Sequence, residues 1–347
     1  MSAEQVRGLA EAALRAHGVS TADAAVVADC LVEADLQGVP THGVVRLPFY
    51  CSRLRRGLIE PRPALTVVEE TLSAALLDAG NGLGPVGGRR AVSIAGEKAR
   101  SCGVGVCGVR RSNHLGMLGW YVEAAAREGM VALAFTNAPA TMAAPGGRAR
   151  LLGTNPLAAG LPSGTRGPVV VDLATSQVAR ARITAAAVRG EPIPAGWAFD
   201  PEGRPTTSAA AALAGTVAPL GGVKGFGLAL LVEALAGVLT GAGVGPEVTG
   251  TVSDSDRVSD VGHLFILFAP STLGVDFEAR MASLAALVRG SPPVGEGEGP
   301  RLPGDRRREE RTRRLERGIE LDDGLVLELK ELGARPSPSS EAGPASS

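Results

Sequence analysis

Residues 81–88 read Asn-Gly-Leu-Gly-Pro-Val-Gly-Gly, and Gly82, Gly84 and Gly87 fall in the G-x-G-x-x-G spacing of a dinucleotide-binding turn. An apolar run, Ser73 to Ala79, precedes them, and a helix-like run, Arg89 to Cys102, follows. The reading of this stretch decides between a doubly wound parallel sheet and some other architecture. The Rossmann reading needs a strand ending in Asp or Glu about 20 residues on, to hold the ribose hydroxyls. The next run, Gly103 to Val109, ends instead in Arg110 and Arg111. Those arginines would suit a 2′-phosphate, so the missing acid does not decide the matter alone. Pro85 weighs more, because it stands where the phosphate turn should offer a backbone N–H and proline has none. About 80 residues of helical character also come before a fingerprint that normally opens its domain. The glycines are therefore read as a turn from an early strand into a helix.

Around that turn, three helical segments open the chain. Glu4 to Ala16 carries apolar residues at helical spacing and stops at Gly18; Ser20 to Asp23 resembles a capping box for a second helix that ends at Gly38. A third is expected from about His42 to Arg56, with Pro48 tolerable only near its start. From Ser73 onward, β-like runs (Ala74–Asp78, Val104–Val109, Val131–Thr136, Leu157–Leu161, Val169–Asp172, His263–Phe268) alternate with helical ones (Val86–Cys102, Leu118–Glu128, Gln177–Val188, Gly225–Thr240, Asp276–Val288). This mixture predicts an α+β or α/β core. The run Asp305 to Gly318 mixes both charge signs and reads as a solvated helix with internal ion pairs; the residues after Arg335 read as a disordered tail.

The chain has 347 residues, enough for one large or two ordinary domains. Its 35 basic and 36 acidic residues nearly cancel, which argues against nucleic acid or an acidic membrane surface as partner. Four cysteines (Cys30, Cys51, Cys102, Cys107) match no zinc or redox spacing, and no basic-then-apolar leader precedes them. Reduced thiols in a cytoplasmic protein are expected, with no bound metal. Gly225 to Gly245 is strongly apolar, but Glu233 in mid-run fits a helix buried in protein better than one in lipid.

Two histidine neighbourhoods carry chemistry. In a helix starting near Thr41, His42 and Arg46 would share one face, where Arg46 can grip a carboxylate and His42 can move a proton on the neighbouring oxygen, with Thr41 fixing the imidazole tautomer. The ordinary alternative is an N-cap, a first-turn histidine and a surface cation. In Arg111 to Tyr121, Asn113 or His114 would cap a helix whose first turn holds Gly116 and Gly119, open to a ligand; a capping Asn and a packed His is the plain alternative. His17 reads as a helix C-terminal dipole contact and His263 as structural.

Nine segments, in order, resemble the malate/L-lactate dehydrogenase family of NAD(P)-dependent oxidoreductases that lack a Rossmann fold. They are GVPTHGVVR, RSNHLGMLGWY, FTNAPATMAAPGG, LLGTNPLAAGLP, VVVDLATSQVA, IPAGWAFDPEGRPTT, PLGGVKGFGLALLVEALAGVLTGA, GHLFILFAP and RLPGD, spanning roughly residues 3 to 330. The resemblance implies His42 as proton donor and acceptor, Thr41 (where the family usually has Ser) as its relay partner, and Arg46 and Thr154 as substrate contacts. It leaves His114 shared between catalysis and the cofactor. Gly116, Leu118, Asn137, Asp172, Leu173, Ala174 and Lys224 are implied cofactor contacts. After VAR, Ala181-Arg182 replaces the more usual Gly-Lys. Relatives acting on cyclic imines can carry an acid near there, and Arg182 has the opposite charge.

The fold expected is α+β: a non-Rossmann mixed-sheet core (73–295) packed with a helical subdomain built from residues 1–72 and a C-terminal helical segment (296–334), with 335–347 as tail. The function expected is hydride transfer between NAD or NADP and C2 of a small 2-oxo/2-hydroxy carboxylate, in a homodimer. An imine reductase on the same fold and a catalytically idle binding subunit are the rivals.

Overall fold

A computed structural model describes residues 1–250 and 255–334; the expected tail lies outside the described residues. Helix α1 (Ala3–Ala16) turns Val6, Ala10, Ala13 and Leu14 inward, and α2 (Thr21–Leu36) adds Val27, Ala28 and Leu31 to the same core. Ser20 caps α2 by accepting from Asp23 N–H. The third helix starts later than the expected His42. Two 3₁₀ turns, Pro40–His42 and Val44–Arg46, precede α3 (Leu47–Arg55). The cause is local. Pro48 cannot sit inside a helix without clashing with the carbonyl four residues back, so the regular helix begins just before it. The buried Asp35 carboxylate accepts from Val44 N–H at 2.9 Å and occupies the space that a side chain at Gly43 would need.

Beyond α3 the chain enters a seven-stranded sheet. Strand β1 (Thr66–Glu70) falls inside the segment expected to be helical, and it pairs antiparallel with β2 (Ala74–Asp78). Helix α4 (Gly84–Cys102) then crosses to β3 (Val104–Ser112), which lies parallel to β2. This is the one parallel pair among the described strands. Helix α5 (Leu118–Arg127) leads to β4 (Val131–Thr136), followed by β5 (Leu157–Leu161) and β6 (Val169–Leu173), all antiparallel neighbours. A small layer interrupts the large sheet: α6 (Arg180–Arg189), α7 (Ala209–Ala214) and the short strands β7 (Ala198–Phe199), β8 (Pro205–Thr206) and β9 (Thr216–Val217) share a core of their own. Helix α8 (Val223–Glu233) runs into one π turn, Ala234–Val238, before β10 (Val261–Phe268) completes the sheet order β1-β2-β3-β10-β4-β5-β6. Cys107 and Val109 of β3 point into the core under α4 and α5, while Gly108 between them faces Thr240 on the other side, as strand alternation requires.

The C-terminal helices return to the start. Helix α9 (Phe277–Arg289) packs Ala285 near Val169, α10 (Asp305–Arg317) follows, and α11 (Asp323–Ala334) buries Leu329 and Leu332 against α1. The charged helix α10 does carry internal pairs, such as Arg313–Glu310 at 2.6 Å. It is also a clamp: Arg311 bonds Glu33 at 2.6 Å, Arg314 bonds the Asp35 carbonyl at 2.7 Å, and Arg307 bonds Asp172 at 2.8 Å.

The glycine turn thus sits in a βαβ unit, but its anion site is filled by the protein. Gly84, Pro85, Val86, Gly87 and Gly88 are all buried. A side chain on Gly84 would run into the carbonyls of Asn113 and His114, and one on Gly88 into Leu115 and Tyr121. The Asn113 amide donates to the Gly82 carbonyl at 2.8 Å and to Asn81. Arg110 and Arg111 both turn back to Asp78, at 3.3 Å each. What the turn receives is the loop bearing His114. Gly84→Ala should therefore lower the unfolding free energy by about 1–3 kcal/mol, read from urea melts; stability equal to the parent would show that the loop yields at no cost.

Candidate active site

The His114 loop faces the two 3₁₀ turns across a cavity. The turns deliver Thr41, His42 and Arg46, and the loop delivers His114, Leu115 and Gly116. The segment after β4 brings Thr136 to Thr141, the approach to β5 brings Thr154 and Pro156, and the start of α6 brings Ala179, Arg180 and Ala181. Val261 closes the lining. Among the described residues the wall is largely apolar, its charged members are Arg46 and Arg180, and no carboxylate lines it. Among the described residues, no cluster of His, Cys, Asp or Glu could hold a metal ion.

The imidazoles of His42 and His114 stack with centroids 5.5 Å apart. Thr41 Oγ1 lies 3.0 Å from His42 Nδ1, and Arg46 Nε donates to the Thr41 carbonyl at 2.6 Å, so the turn holds its own side chains. Tyr50, one helical turn beyond Arg46, places its hydroxyl 2.7 Å from His114 Nδ1. Burial raises the Tyr50 pKa, so the phenol keeps its proton and donates it. Gly116 N–H also points at Nδ1, at 3.4 Å. Nδ1 is therefore the acceptor, and neutral His114 carries its proton on Nε2. Burial, reinforced by Arg46, lowers the His42 pKa to about 4; burial, Arg46 and His42 itself hold His114 well below the usual imidazole range. Both rings are neutral at pH 7.

The cavity collects Thr41, His42, Arg46, His114, Gly116, Asn137 and Thr154 from the sequence-derived set, and Leu118, Asp172, Leu173, Ala174 and Lys224 lie outside its lining. Asn113 and His114 do not cap α5, whose first turn begins after Met117. Asp172 does that work: it accepts from Gly119 N–H at 3.0 Å and pairs with Arg307. Leu118 packs in the core under the sheet, and Lys224 is exposed at the start of α8. Asn137 lines the cavity but spends its side chain on the scaffold, donating to Glu233 and the Gly243 carbonyl and accepting from Gly262 N–H. Arg182, the charged departure, leaves the cavity and stacks over Trp197, 5.5 Å from the ring centre.

Comparison with known proteins places this geometry. The profile of the malate/L-lactate dehydrogenase family matches residues 1–330. The chain belongs to that family. A (2R)-3-sulfolactate dehydrogenase (NADP(+)) of Chromohalobacter salexigens is 40% identical, covering 95% of this chain and 97% of its own. The structure of sulfolactate dehydrogenase from Methanocaldococcus jannaschii superposes with a TM-score of 0.89 at 36% identity, covering 96% of each chain. A Δ1-pyrroline-2-carboxylate reductase of Pseudomonas fluorescens is 34% identical over 96% of this chain and 98% of its own. Membership makes the chain an oxidoreductase of the 2-hydroxy-acid type.

Within this dehydrogenase framework, sequence reading missed Tyr50, Thr141 and Arg180. Tyr50 had a signal in its four-residue spacing from Arg46; Thr141 sits in an irregular segment, and Arg180 opens α6, where helical spacing does not single it out. His17 bonds the Ala13 carbonyl at 2.7 Å as a helix-end contact. His263 sits between Thr136 (2.8 Å) and Ser112 (2.9 Å) in the sheet core. An NMR titration of the imidazoles from pH 8 to 5 should leave His42 and His114 uncharged throughout. A midpoint for His42 between 6 and 7 would show that the cavity is wetter than its packing implies.

Proposed function

We propose that the protein catalyses reversible hydride transfer between NAD(P)H and C2 of a small 2-oxo/2-hydroxy carboxylate. The observation carrying this reading is the meeting of two neutral, stacked histidines with the Arg46 guanidinium in one cavity that no carboxylate lines among the described residues. Arg46 commits Nε to the Thr41 carbonyl, and its Nη groups take no hydrogen bond among the described residues. They are free to hold a carboxylate in bidentate fashion. The apolar wall, with Leu115, Pro139, Pro156 and Val261, suits a planar nicotinamide ring, which would supply or take up the hydride.

The residues then divide the proton work. His42, neutral in the free protein and tethered through Nδ1 to Thr41, accepts the proton of a 2-hydroxyl during oxidation. In the reductive direction it must first be charged. A substrate carboxylate on Arg46 cancels the guanidinium that helps keep His42 neutral, so substrate and proton arrive together. His114, with Nδ1 occupied by Tyr50, offers Nε2–H to the same substrate oxygen as a neutral donor. This arrangement argues against an idle binding subunit. The imine reading keeps some support, because Arg182 points away from the cavity and its charge does not bear on substrate choice.

The homodimer is part of this proposal. Helix α8 and its π turn leave Val223, Leu230, Leu231, Val238 and Leu239 more than half exposed, an apolar stripe that a lone chain would seldom show to water. A second copy is the occupant proposed for it, with Lys224 at its border. Among the described residues no helix is long and apolar enough to cross a membrane. The cysteines are free, three of them buried, which supports a reducing, cytoplasmic setting.

With NADH or NADPH and a panel of 2-oxo acids, the protein should consume the nicotinamide absorbance. Arg46→Leu should raise KM steeply for carboxylates, and His42→Ala should cut kcat by about 10²–10⁴-fold. A panel without turnover, or a KM untouched by Arg46→Leu, would sink the reading. Methylamine added to the assay separates alcohol from amine products. Light scattering should give twice the chain mass for the parent and a single chain for Leu231→Glu; a monomeric parent removes the dimer.

A further inference from the structure

The corner between the two 3₁₀ turns has no support of its own. Gly43 N–H and Arg46 N–H close the turns on the carbonyls of Pro40 and Gly43, at 3.1 and 3.0 Å. Val44 N–H, between them, opens the second turn, where Gly43 offers no side chain to cap it. Val44 is fully buried, so water cannot take that N–H either. Its acceptor comes from another helix. Asp35, at the end of α2, reaches across nine residues and accepts at 2.9 Å through Oδ2. The contact is tight on both sides. A side chain at Gly43 would overlap both carboxylate oxygens, and the Asp35 carbonyl is pinned by Gly38 N–H at 3.0 Å and by Arg314 Nη1 of α10 at 2.7 Å. Asp35 is 2% exposed, and burial pushes its carboxyl up to about 6 against the pull of the Val44 N–H and of Arg314. An apolar side chain would fill the same space without that cost, but it could not accept from Val44.

We propose that Asp35 is a positioning residue for the reaction: through Val44 N–H it fixes the corner at Gly43, and so the placing of His42 against Arg46. The inference rests on the reaction proposed above and goes beyond it, since Asp35 is not among the described residues that line the cavity. His42 ends the first turn and Arg46 ends the second. The corner therefore sets where the proton-moving imidazole stands relative to the guanidinium that holds the carboxylate. The bond from Arg46 Nε to the Thr41 carbonyl ties the two turns at one point, and a second tie is needed to stop them pivoting about it. Asp35 Oδ2 is that second tie. Because α10 holds the Asp35 carbonyl, the acceptor cannot follow if the turns swing away. Two groups acting on one substrate tolerate little displacement: about 1 Å of misplacement can cost about 10²-fold in rate.

The test sets Asp35→Leu, which keeps the bulk and removes the acceptor, beside Asp35→Asn, which keeps an oxygen for Val44 N–H, both in the full-length protein. Urea melts give the folded fraction of each variant, and nicotinamide fluorescence gives its Kd for NADH or NADPH. Asp35→Leu should lower kcat/KM for the 2-oxo acid turned over best by about 10²-fold. The loss should be divided between a raised KM, from Arg46, and a lowered kcat, from His42, with the cofactor Kd unchanged. Asp35→Asn should stay within about fivefold of the parent. A loss in kcat alone, in step with the folded fraction, would make Asp35 purely structural, and an Asn variant as impaired as the Leu one would overturn the role of the acceptor. If Asp35→Leu does not fold, Gly43→Ala takes its place: its methyl crowds the same carboxylate, and the same division between KM and kcat is expected. If no 2-oxo acid is turned over, the reaction falls, and the NMR signals of the His42 ring decide the positioning alone. They should shift in Asp35→Leu and return in Asp35→Asn; any other pattern overturns it.

Discussion

The amide of Asn113, donating to the carbonyl of Gly82, is the contact on which the site depends. It joins two tight pieces of backbone that would otherwise be independent loops, the turn into α4 and the segment leaving β3. Asn81 N–H reaches the Arg111 carbonyl at 2.7 Å, and Asn81 and Arg111 both adopt positive φ (60° and 50°), so the two segments are held at close quarters in conformations that side chains seldom accept. With that junction fixed, His114 has one position, Tyr50 can reach its Nδ1, and the proton of the ring is committed to Nε2. A βαβ crossover that elsewhere would cradle a phosphate here carries a histidine.

The opposite side of the cavity is ordered by a buried acid. Glu233, 2% exposed, accepts from the Asn137 and Asn155 amides and from Gly245 N–H, at 3.1, 2.6 and 2.8 Å. Those donors pin the ends of β4 and β5 to α8, and Asn155 in turn accepts from Ala138 N–H. The stretch from Thr136 to Thr141, which contributes so much of the lining, is thereby suspended from one carboxylate. Asp172 plays a similar part on the near side, tying the first turn of α5 to Arg307. Several residues around the cavity thus serve its shape, and fewer are left to meet a ligand.

Much of this was legible in the sequence, for identifiable reasons. Strands β2, β4 and β5 coincide with their expected limits because each is a short apolar run bounded by turn residues. Strand β1 was hidden because all five of its residues are exposed, and β7 to β9 are too short for any periodicity to show. The third helix, expected from about His42, begins at Leu47 because Pro48 is tolerated only at a helix start and Asp35 holds the Val44 N–H in a 3₁₀ turn before it. For the site, His42, Arg46 and His114 stood out by residue type, and the cavity does gather them. Thr141 and Arg180 could not be found that way: they reach the cavity from separate segments, and that meeting exists only in three dimensions. Arg182 was the more conspicuous cation in the sequence, yet it turns outward to Trp197.

The pairing of α1 with α11 has a consequence in time as well as in space. The amino group of Met1 bonds the Ile319 carbonyl, Ile319 N–H returns to Met1, and Leu329 and Leu332 complete the core beneath α1 and α3. Contacts separated by more than 300 residues cannot form until the later partner has left the ribosome. The sheet can assemble earlier, but the helical wall that presents His42 and Arg46 stays unfinished until residues near 330 have left the ribosome. A nascent chain can therefore hold a folded sheet without an assembled cavity.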